Sequence, residues 1–174
     1  AARIEGRHVA DQLQAPWSAR RLEGHAATGS ALRKWLPRAD LFHYAGHGRF
    51  AGRGGGESAL PLAGDSRLTV ADILALERAP RHVVLSACET AKSTPGGQVE
   101  SVTGLAQAFL TAGSRSVVAA VRPVEDRTAA ALVRRYYAAF LAGASPPEAL
   151  RQAQLDLMAQ DPTADWASFR LLEP

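Results

Sequence analysis

The cysteine at position 88 is the only one in the 174-residue sequence. It follows the apolar stretch HVVLSA, which is typical of a buried strand, and it precedes the polar stretch ETAKST. A second apolar stretch, LFHYAG, ends directly before His47 and Gly48. Ligands of open α/β sheets bind at the carboxyl ends of the strands. We therefore expect Cys88 and His47 to lie side by side if these two strands are parallel neighbours.

A cysteine beside a histidine can act as a nucleophile, because the imidazole accepts the thiol proton and leaves a thiolate. A free thiol titrates near ~8.5, and a nearby imidazolium lowers this pKa, so more thiolate is present at neutral pH. Glycine at position 48 would let the backbone N–H come close to a substrate carbonyl. Together with the N–H of Cys88 it would form an oxyanion hole, in which one donor contributes ~3 kcal/mol.

The composition argues against several other classes of protein. The basic residues are nearly all arginine and are scattered among acids, with a net charge of +3, so no basic stripe for nucleic acid is predicted. This arginine bias, with abundant alanine, indicates a GC-rich bacterial gene. No apolar run approaches membrane-spanning length. A single cysteine fits a reducing cytoplasm and provides neither a disulfide nor a thiolate metal cluster. The stretch GRGGGES lacks the lysine of a phosphate loop.

Strand patterns alternate with helix patterns along the whole chain. Strands are predicted at DLFHYAGHG, which runs into glycine, and at RHVVLSA, RSVVAAV and WASFRLL, with a weak strand at SARRLEG and a hairpin that turns at Gly64 and Asp65. All-apolar strands separated by helices indicate an α/β fold with a mostly parallel central sheet and helices on both faces. At this length we expect one domain, residues 1–174.

The predicted helices carry recognisable faces and starts. The first helix places Ile4, His8 or Val9, and Leu13 near one face. Two later helices begin with capping boxes, formed by Thr69 with Asp72 and by Ser145 with Glu148.

The motifs resemble those of one family. HYAGHG followed by LSACET, together with SALPLAGDSRLTVADIL, SVTGLAQAFLTAGSRSVVAAV, SPPEALRQAQLDLM and WASFRLL, is similar to the CHAT family, a branch of the caspase-like cysteine peptidases related to separase. The resemblance implies a caspase–hemoglobinase fold, with His47 as general base, Cys88 as nucleophile and the Gly48 N–H in the oxyanion hole. It also implies a first strand ahead of Ala1, so we expect the chain to be part of a longer polypeptide.

The resemblance further implies a cytoplasmic bacterial cysteine endopeptidase that cleaves a protein substrate through a thioester and uses no cofactor and no metal. Family members are often joined to helical repeats of the tetratricopeptide type that sense a partner. Some act in bacterial antiviral defence by cutting a gasdermin-like protein. The alternative is a catalytically idle protein-interaction module with the same fold.

Four residues near the predicted pair are candidates for substrate binding: Glu89, Arg122, Glu125 and Asp126. The family usually has tryptophan where this chain has Arg122, so the resemblance leaves the shape of the pocket open. Separase-like relatives use an acid in this region to hold an arginine of the substrate. Asp126 would then favour lysine or arginine before the cut, or else it would only cap the following helix. Arg122 could pair with Asp126 or Glu125.

His43 lies four residues before His47, so a strand would place both on one face. A two-histidine metal site would need a third ligand, and none is spaced nearby. The sequence therefore favours a hydrogen-bonded core histidine at position 43. An acid such as Asp165 could orient His47, but the sequence does not assign this role.

Overall fold

The computed structural model describes residues 2–15, 17–46, 58–87, 98–122 and 124–174. The α-helices are α1 (Ala2–Gln14), α2 (Gly29–Trp35), α3 (Val70–Leu74), α4 (Gln98–Thr111), α5 (Asp126–Leu141) and α6 (Pro146–Gln160). The strands are β1 (Leu41–Gly46), β2 (Ala59–Pro61), β3 (Arg67–Thr69), β4 (His82–Ala87), β5 (Ser116–Ala120) and β6 (Phe169–Leu172). Short 3-10 helices cover Gly24–Ala26 and Leu36–Arg38.

The described strands form a four-stranded sheet in the order β1-β4-β5-β6. Strands β1, β4 and β5 are parallel, whereas β6 runs antiparallel to β5. Strands β2 and β3 form a separate antiparallel hairpin, in which Gly64 adopts a φ of 64° at the predicted turn. The predictions of a mostly parallel sheet and of this hairpin are confirmed.

Helices cover both faces of the sheet, as the all-apolar strands predicted. Because side chains alternate along a strand, Val84 and Val118 face one layer while Val83 and Val117 face the other. The first layer contains α1, α5 and α6, and the second contains α2, α3 and α4. Because helices cover both faces of the sheet, a ligand can reach polar groups of the sheet at the ends of the parallel strands.

The two predicted capping boxes are present. The Thr69 hydroxyl accepts a hydrogen bond from the Asp72 N–H at 3.1 Å, and the Asp72 carboxylate accepts one from the Thr69 N–H at 2.9 Å. Ser145 and Glu148 make the same reciprocal arrangement at the start of α6. Each box satisfies backbone donors that the first turn of a helix leaves without intrahelical partners.

The buried face of α1 differs by one position from the prediction. Val9 and Leu13 are buried as expected, but Ile4 is 60% exposed and Glu5 is buried in its place, with 6% exposure. Residues 5, 9 and 13 are spaced by four, which keeps them on one side of a helix. A carboxylate therefore occupies the position where an apolar residue was predicted, and its partner is described below.

The predicted weak strand at SARRLEG is wrong. Residues 18–23 are irregular, and a 3-10 helix begins at Gly24. An isolated strand is not stable without a ladder partner, and no described strand pairs with this segment. The segment also lacks the β-branched residues that favour strands.

His82, at the start of β4, predicts a pH effect on stability. Its Nδ1 lies 2.9 Å from the Ser116 hydroxyl and its ring packs edge-on against Phe140. Burial, with Arg81 and Arg115 nearby, lowers its pKa below the ordinary value of 6.5. The unfolded chain therefore binds the proton of His82 more readily than the folded chain does. The contribution of neutral His82 to the free energy of unfolding is present above pH 6.5 and is lost as the pH falls below that value. We expect the melting temperature to fall more steeply on acidification in the wild type than in His82→Gln, and parallel profiles would contradict this.

Candidate active site

The carboxyl ends of β1 and β4 lie side by side. The two strands are parallel and pair residue by residue, from Leu41 with His82 to Gly46 with Ala87. His47, Gly48, Cys88 and Glu89 lie outside the described residues. The expected adjacency of the two strands is confirmed, and the last described residue of each is the immediate neighbour of a residue with candidate chemistry.

Gly46 lies against the side chain of Tyr44. A β-carbon built on Gly46 would lie 2.8 Å from the Tyr44 hydroxyl oxygen and 2.9 Å from Cζ, which is closer than van der Waals contact allows. Tyr44 itself donates a hydrogen bond to the Pro61 carbonyl at 2.9 Å, and burial raises its pKa to about 12. The end of β1 is therefore packed closely against the hairpin through one aromatic ring.

His43 occupies the opposite face of β1, between α1 and α5. Its Nε2 lies 3.0 Å from the Glu5 carboxylate and its Nδ1 lies 3.2 Å from the Tyr137 hydroxyl. Burial, followed by the neighbouring Tyr136 and Glu5, raises the pKa of Tyr137 well above its usual range, so its phenol keeps its proton. The prediction of a hydrogen-bonded core histidine is confirmed.

The buried polar partners of His43 were not identified from the sequence. Glu5 could have been found, because positions 5, 9 and 13 form a more regular helical stripe than the one that includes Ile4. Tyr137 could not, because its contact with His43 joins residues far apart in the chain. Ser86 was also missed: its hydroxyl is buried on β4 and has no hydrogen-bond partner among the described residues.

Arg122 and the two neighbouring acids follow the end of β5, which is parallel to β4. A guanidinium nitrogen of Arg122 lies 2.8 Å from the Asp165 carboxylate, and both side chains are about half exposed. The predicted pairing of Arg122 with Asp126 or Glu125 is therefore wrong, because Asp165 in the loop before β6 is its partner.

Asp126 is exposed at the first position of α5, and the residue at its N-cap is Glu125. The side chain of Glu125 makes no capping hydrogen bond. Asp126 is therefore not the N-cap of α5, which was the alternative role considered for it. Within the described residues neither carboxylate takes part in a salt bridge.

A cavity of about 790 Å³ runs along the open side of β1. Its walls come from α1, α2 and the segment between them, including Trp17, Trp35 and Arg20, whose guanidinium lies 3.8 Å from the Trp35 ring centre. Its described lining follows β1 from Leu41 to Ala45, the residue before Gly46, and includes no residue of β4. The candidate site is therefore assigned from the paired strand ends and not from the size of the cavity.

The described part of the chain contains no group of three or more histidine, cysteine, aspartate or glutamate side chains that could hold a metal ion. Nor does any helix in the described ranges have the length and apolar character needed to cross a membrane.

Two comparisons with known proteins agree with this arrangement. Tetratricopeptide repeat protein 28 of Mus musculus is 33% identical over 111 residues, which is 60% of this chain and 4% of that protein. The chain therefore spans only a small fraction of the length of this relative. The family model described as the CHAT domain matches residues 1–173. Because this match covers almost the whole chain, and the mostly parallel sheet with helices on both faces is consistent with a caspase-like fold, the chain belongs to the CHAT domain family of the caspase-like cysteine peptidase clan.

Proposed function

We propose that the chain is a cysteine endopeptidase domain in which Cys88 attacks a peptide bond and His47 handles the proton. The observation that supports this proposal is the pairing of Gly46 with Ala87 in adjacent parallel strands. Consecutive Cα atoms are ~3.8 Å apart, so the residue that follows each strand in the chain is one peptide unit away from this pair. Those next residues are a histidine and the single cysteine of the chain.

The proposed reaction needs only these groups, the substrate and water. His47 takes the proton of the Cys88 thiol, and the thiolate adds to the carbonyl carbon of the scissile peptide. The backbone N–H groups of Gly48 and Cys88 stabilise the oxyanion that forms. His47 then gives the proton to the leaving nitrogen as the C–N bond breaks, which leaves a thioester. Water hydrolyses the thioester and regenerates the thiol.

The acids at the end of β5 suggest the class of substrate. The Arg122 guanidinium pairs with Asp165, so Glu125, the N-cap of α5, and Asp126, its first residue, present exposed carboxylates after the end of β5. We assign them, together with Glu89 and the flanking Arg122, to substrate binding. Among the described residues neither carboxylate has a salt-bridge partner, and such carboxylates favour a lysine or arginine before the cut through charge-assisted hydrogen bonds.

The relative with tetratricopeptide repeats suggests how the domain is used. We propose that the chain works next to a helical-repeat region of this type, which would bind a substrate or an activating partner. A free, reactive thiol persists in a reducing compartment, so we place the protein in the cytoplasm. Antiviral defence through a gasdermin-like substrate remains the role implied by resemblance to the family.

Thiol alkylation tests the proposed pair directly. Because Cys88 is the only cysteine, iodoacetamide labelling reports on one site. We expect His47→Ala to slow the reaction at neutral pH by roughly 10- to 30-fold, the loss that follows when the thiol returns to an ordinary pKa. His25→Ala, which changes an exposed histidine, is the matched control and should react like the wild type. Equal, slow labelling of wild type and His47→Ala would instead favour an idle interaction module.

A further inference from the structure

Glu5, His43 and Tyr137 form a chain of buried hydrogen bonds that the proposed reaction does not use. The side chains of Glu5 and His43 are 7% and 8% exposed, and Tyr137 is fully buried. With an ionised carboxylate and a neutral imidazole, one arrangement of protons satisfies every group. The Tyr137 O–H donates to Nδ1 of His43, and the Nε2–H of His43 donates to Glu5. Burying a carboxylate costs free energy unless it is hydrogen-bonded, and His43 supplies a hydrogen bond to Glu5.

This hydrogen-bond chain ties three elements together at one point of β1. Glu5 lies in the first turn of α1, and Tyr137 lies in the C-terminal half of α5. His43 lies three residues before the last described residue of β1. Two of the three helices on this face, α1 and α5, are therefore hydrogen-bonded to the strand through a single imidazole.

Strand β1 has particular need of such an anchor. It is the edge of the described sheet and has a hydrogen-bonded ladder only with β4. Its position therefore depends more on side-chain contacts than that of β4, which is paired on both sides. His43 holds one face, and on the other face the hydroxyl of the next residue, Tyr44, donates to the Pro61 carbonyl.

We propose that His43 is a positioning residue, which Glu5 and Tyr137 hold in place so that the end of β1 delivers His47 to Cys88 in the correct geometry. This inference rests on the proposed function. A displacement of about 1 Å in a catalytic group can lower a rate on the order of 10²-fold. A partial loss of the anchor should therefore reduce the reactivity of Cys88 without abolishing it.

The test measures the rate of Cys88 alkylation by iodoacetamide as a function of pH. We expect Tyr137→Phe and Glu5→Ala to slow labelling at neutral pH by roughly 3- to 10-fold, with the pH profile moving toward that of an ordinary thiol near ~8.5. Glu5→Gln keeps an acceptor for the Nε2–H of His43 and should retain a rate within about twofold of wild type.

The matched control is Tyr136→Phe, which removes a hydroxyl from the neighbouring buried residue of α5. Tyr136 makes no hydrogen bond through that hydroxyl among the described side chains, and its ring packs against Tyr137 and Phe140. Tyr136→Phe removes the same hydroxyl group as Tyr137→Phe. We expect it to keep the wild-type pH profile of Cys88 alkylation.

Three outcomes decide between the ideas. Slower labelling in Tyr137→Phe and Glu5→Ala, with rescue in Glu5→Gln, supports the positioning role. The positioning role is overturned if both variants are labelled at the wild-type rate while the wild type is still labelled faster than His47→Ala. The peptidase proposal is not affected by that result. Equal labelling of wild type and His47→Ala overturns both. Tyr137→Phe changes a single atom, so it decides the question even if Glu5→Ala does not fold.

Discussion

Cys88→Ala should abolish peptide cleavage, with activity at least about 10³-fold below that of the wild type. Replacing the nucleophile of a covalent mechanism leaves only substrate binding and oxyanion stabilisation, and single knockouts of this kind cost several orders of magnitude. The measurement is a digest of a proteome-derived peptide library, with products identified by mass spectrometry, for both proteins side by side. His47→Ala should show a loss of comparable size, because the two residues act as a unit.

Stability must be checked in parallel, because a misfolded variant would also be inactive. Cys88→Ala removes a single sulfur atom, and we expect its melting temperature to stay close to that of the wild type. Cleavage that persists in Cys88→Ala would rule out the thioester mechanism. A folded wild type that cleaves nothing, even when a candidate activating partner is added to the digest, would favour the interaction module.

The same digest gives the residue before each cut. Lysine or arginine is expected there, because Glu125 and Asp126 are exposed while Arg122 is held by Asp165. Asp126→Asn removes one charge with little change in shape and should weaken the basic preference. Arg127→Gln, on the next residue of the same helix, is a control that also removes one charge, of the opposite sign. An identical cleavage profile in Asp126→Asn would remove Asp126 from the substrate site.

Local patterns in the sequence predicted much of this fold. The apolar strands, the hairpin turn at Gly64 and both capping boxes depend on interactions within a few residues, so short-range patterns were sufficient to identify them. The pairing of β1 with β4 is a long-range feature. The alternation of strands and helices predicts that parallel strands have their carboxyl ends at one edge of the sheet, but it does not predict which strands are neighbours.

The errors arose where distant contacts decide the outcome. Glu5 is buried with His43 as its hydrogen-bond partner, and His43 in turn bonds to Tyr137; both partners are far from Glu5 in the chain. Residues 18–23 are irregular because a strand needs a partner, which local propensity does not provide. Arg122 bonds to Asp165 because the loop before β6 returns beside the end of β5, as the pairing of Ala120 with Phe169 shows.

Gly46→Ala should destabilise the fold by about 1–3 kcal/mol, the usual cost of inserting a methyl group into a packed site. The φ angle of Gly46 is not in the left-handed region, so the cost comes from contact and not from backbone strain. The added carbon would meet the Tyr44 ring at 2.8–3.1 Å. The ring is part of the hydrophobic layer under the hairpin and is held by the hydrogen bond to Pro61, so it cannot rotate away freely. For a chain of this size the melting temperature should fall by roughly 3–10 °C.

A double-mutant cycle separates this contact from a general intolerance of side chains at position 46. If the Tyr44 ring is the obstacle, Gly46→Ala should cost little in a Tyr44→Ala background, and the two substitutions should show a favourable coupling energy. Tyr44→Phe keeps the ring, so Gly46→Ala should remain costly there. Chemical denaturation of the four proteins of the cycle, with Tyr44→Phe as the matched background, gives the coupling. Additive costs would show that Tyr44 does not impose the glycine. Because Gly46 immediately precedes His47, slower alkylation of Cys88 in Gly46→Ala, restored in the double variant, would connect the packing of this strand end to the proposed chemistry.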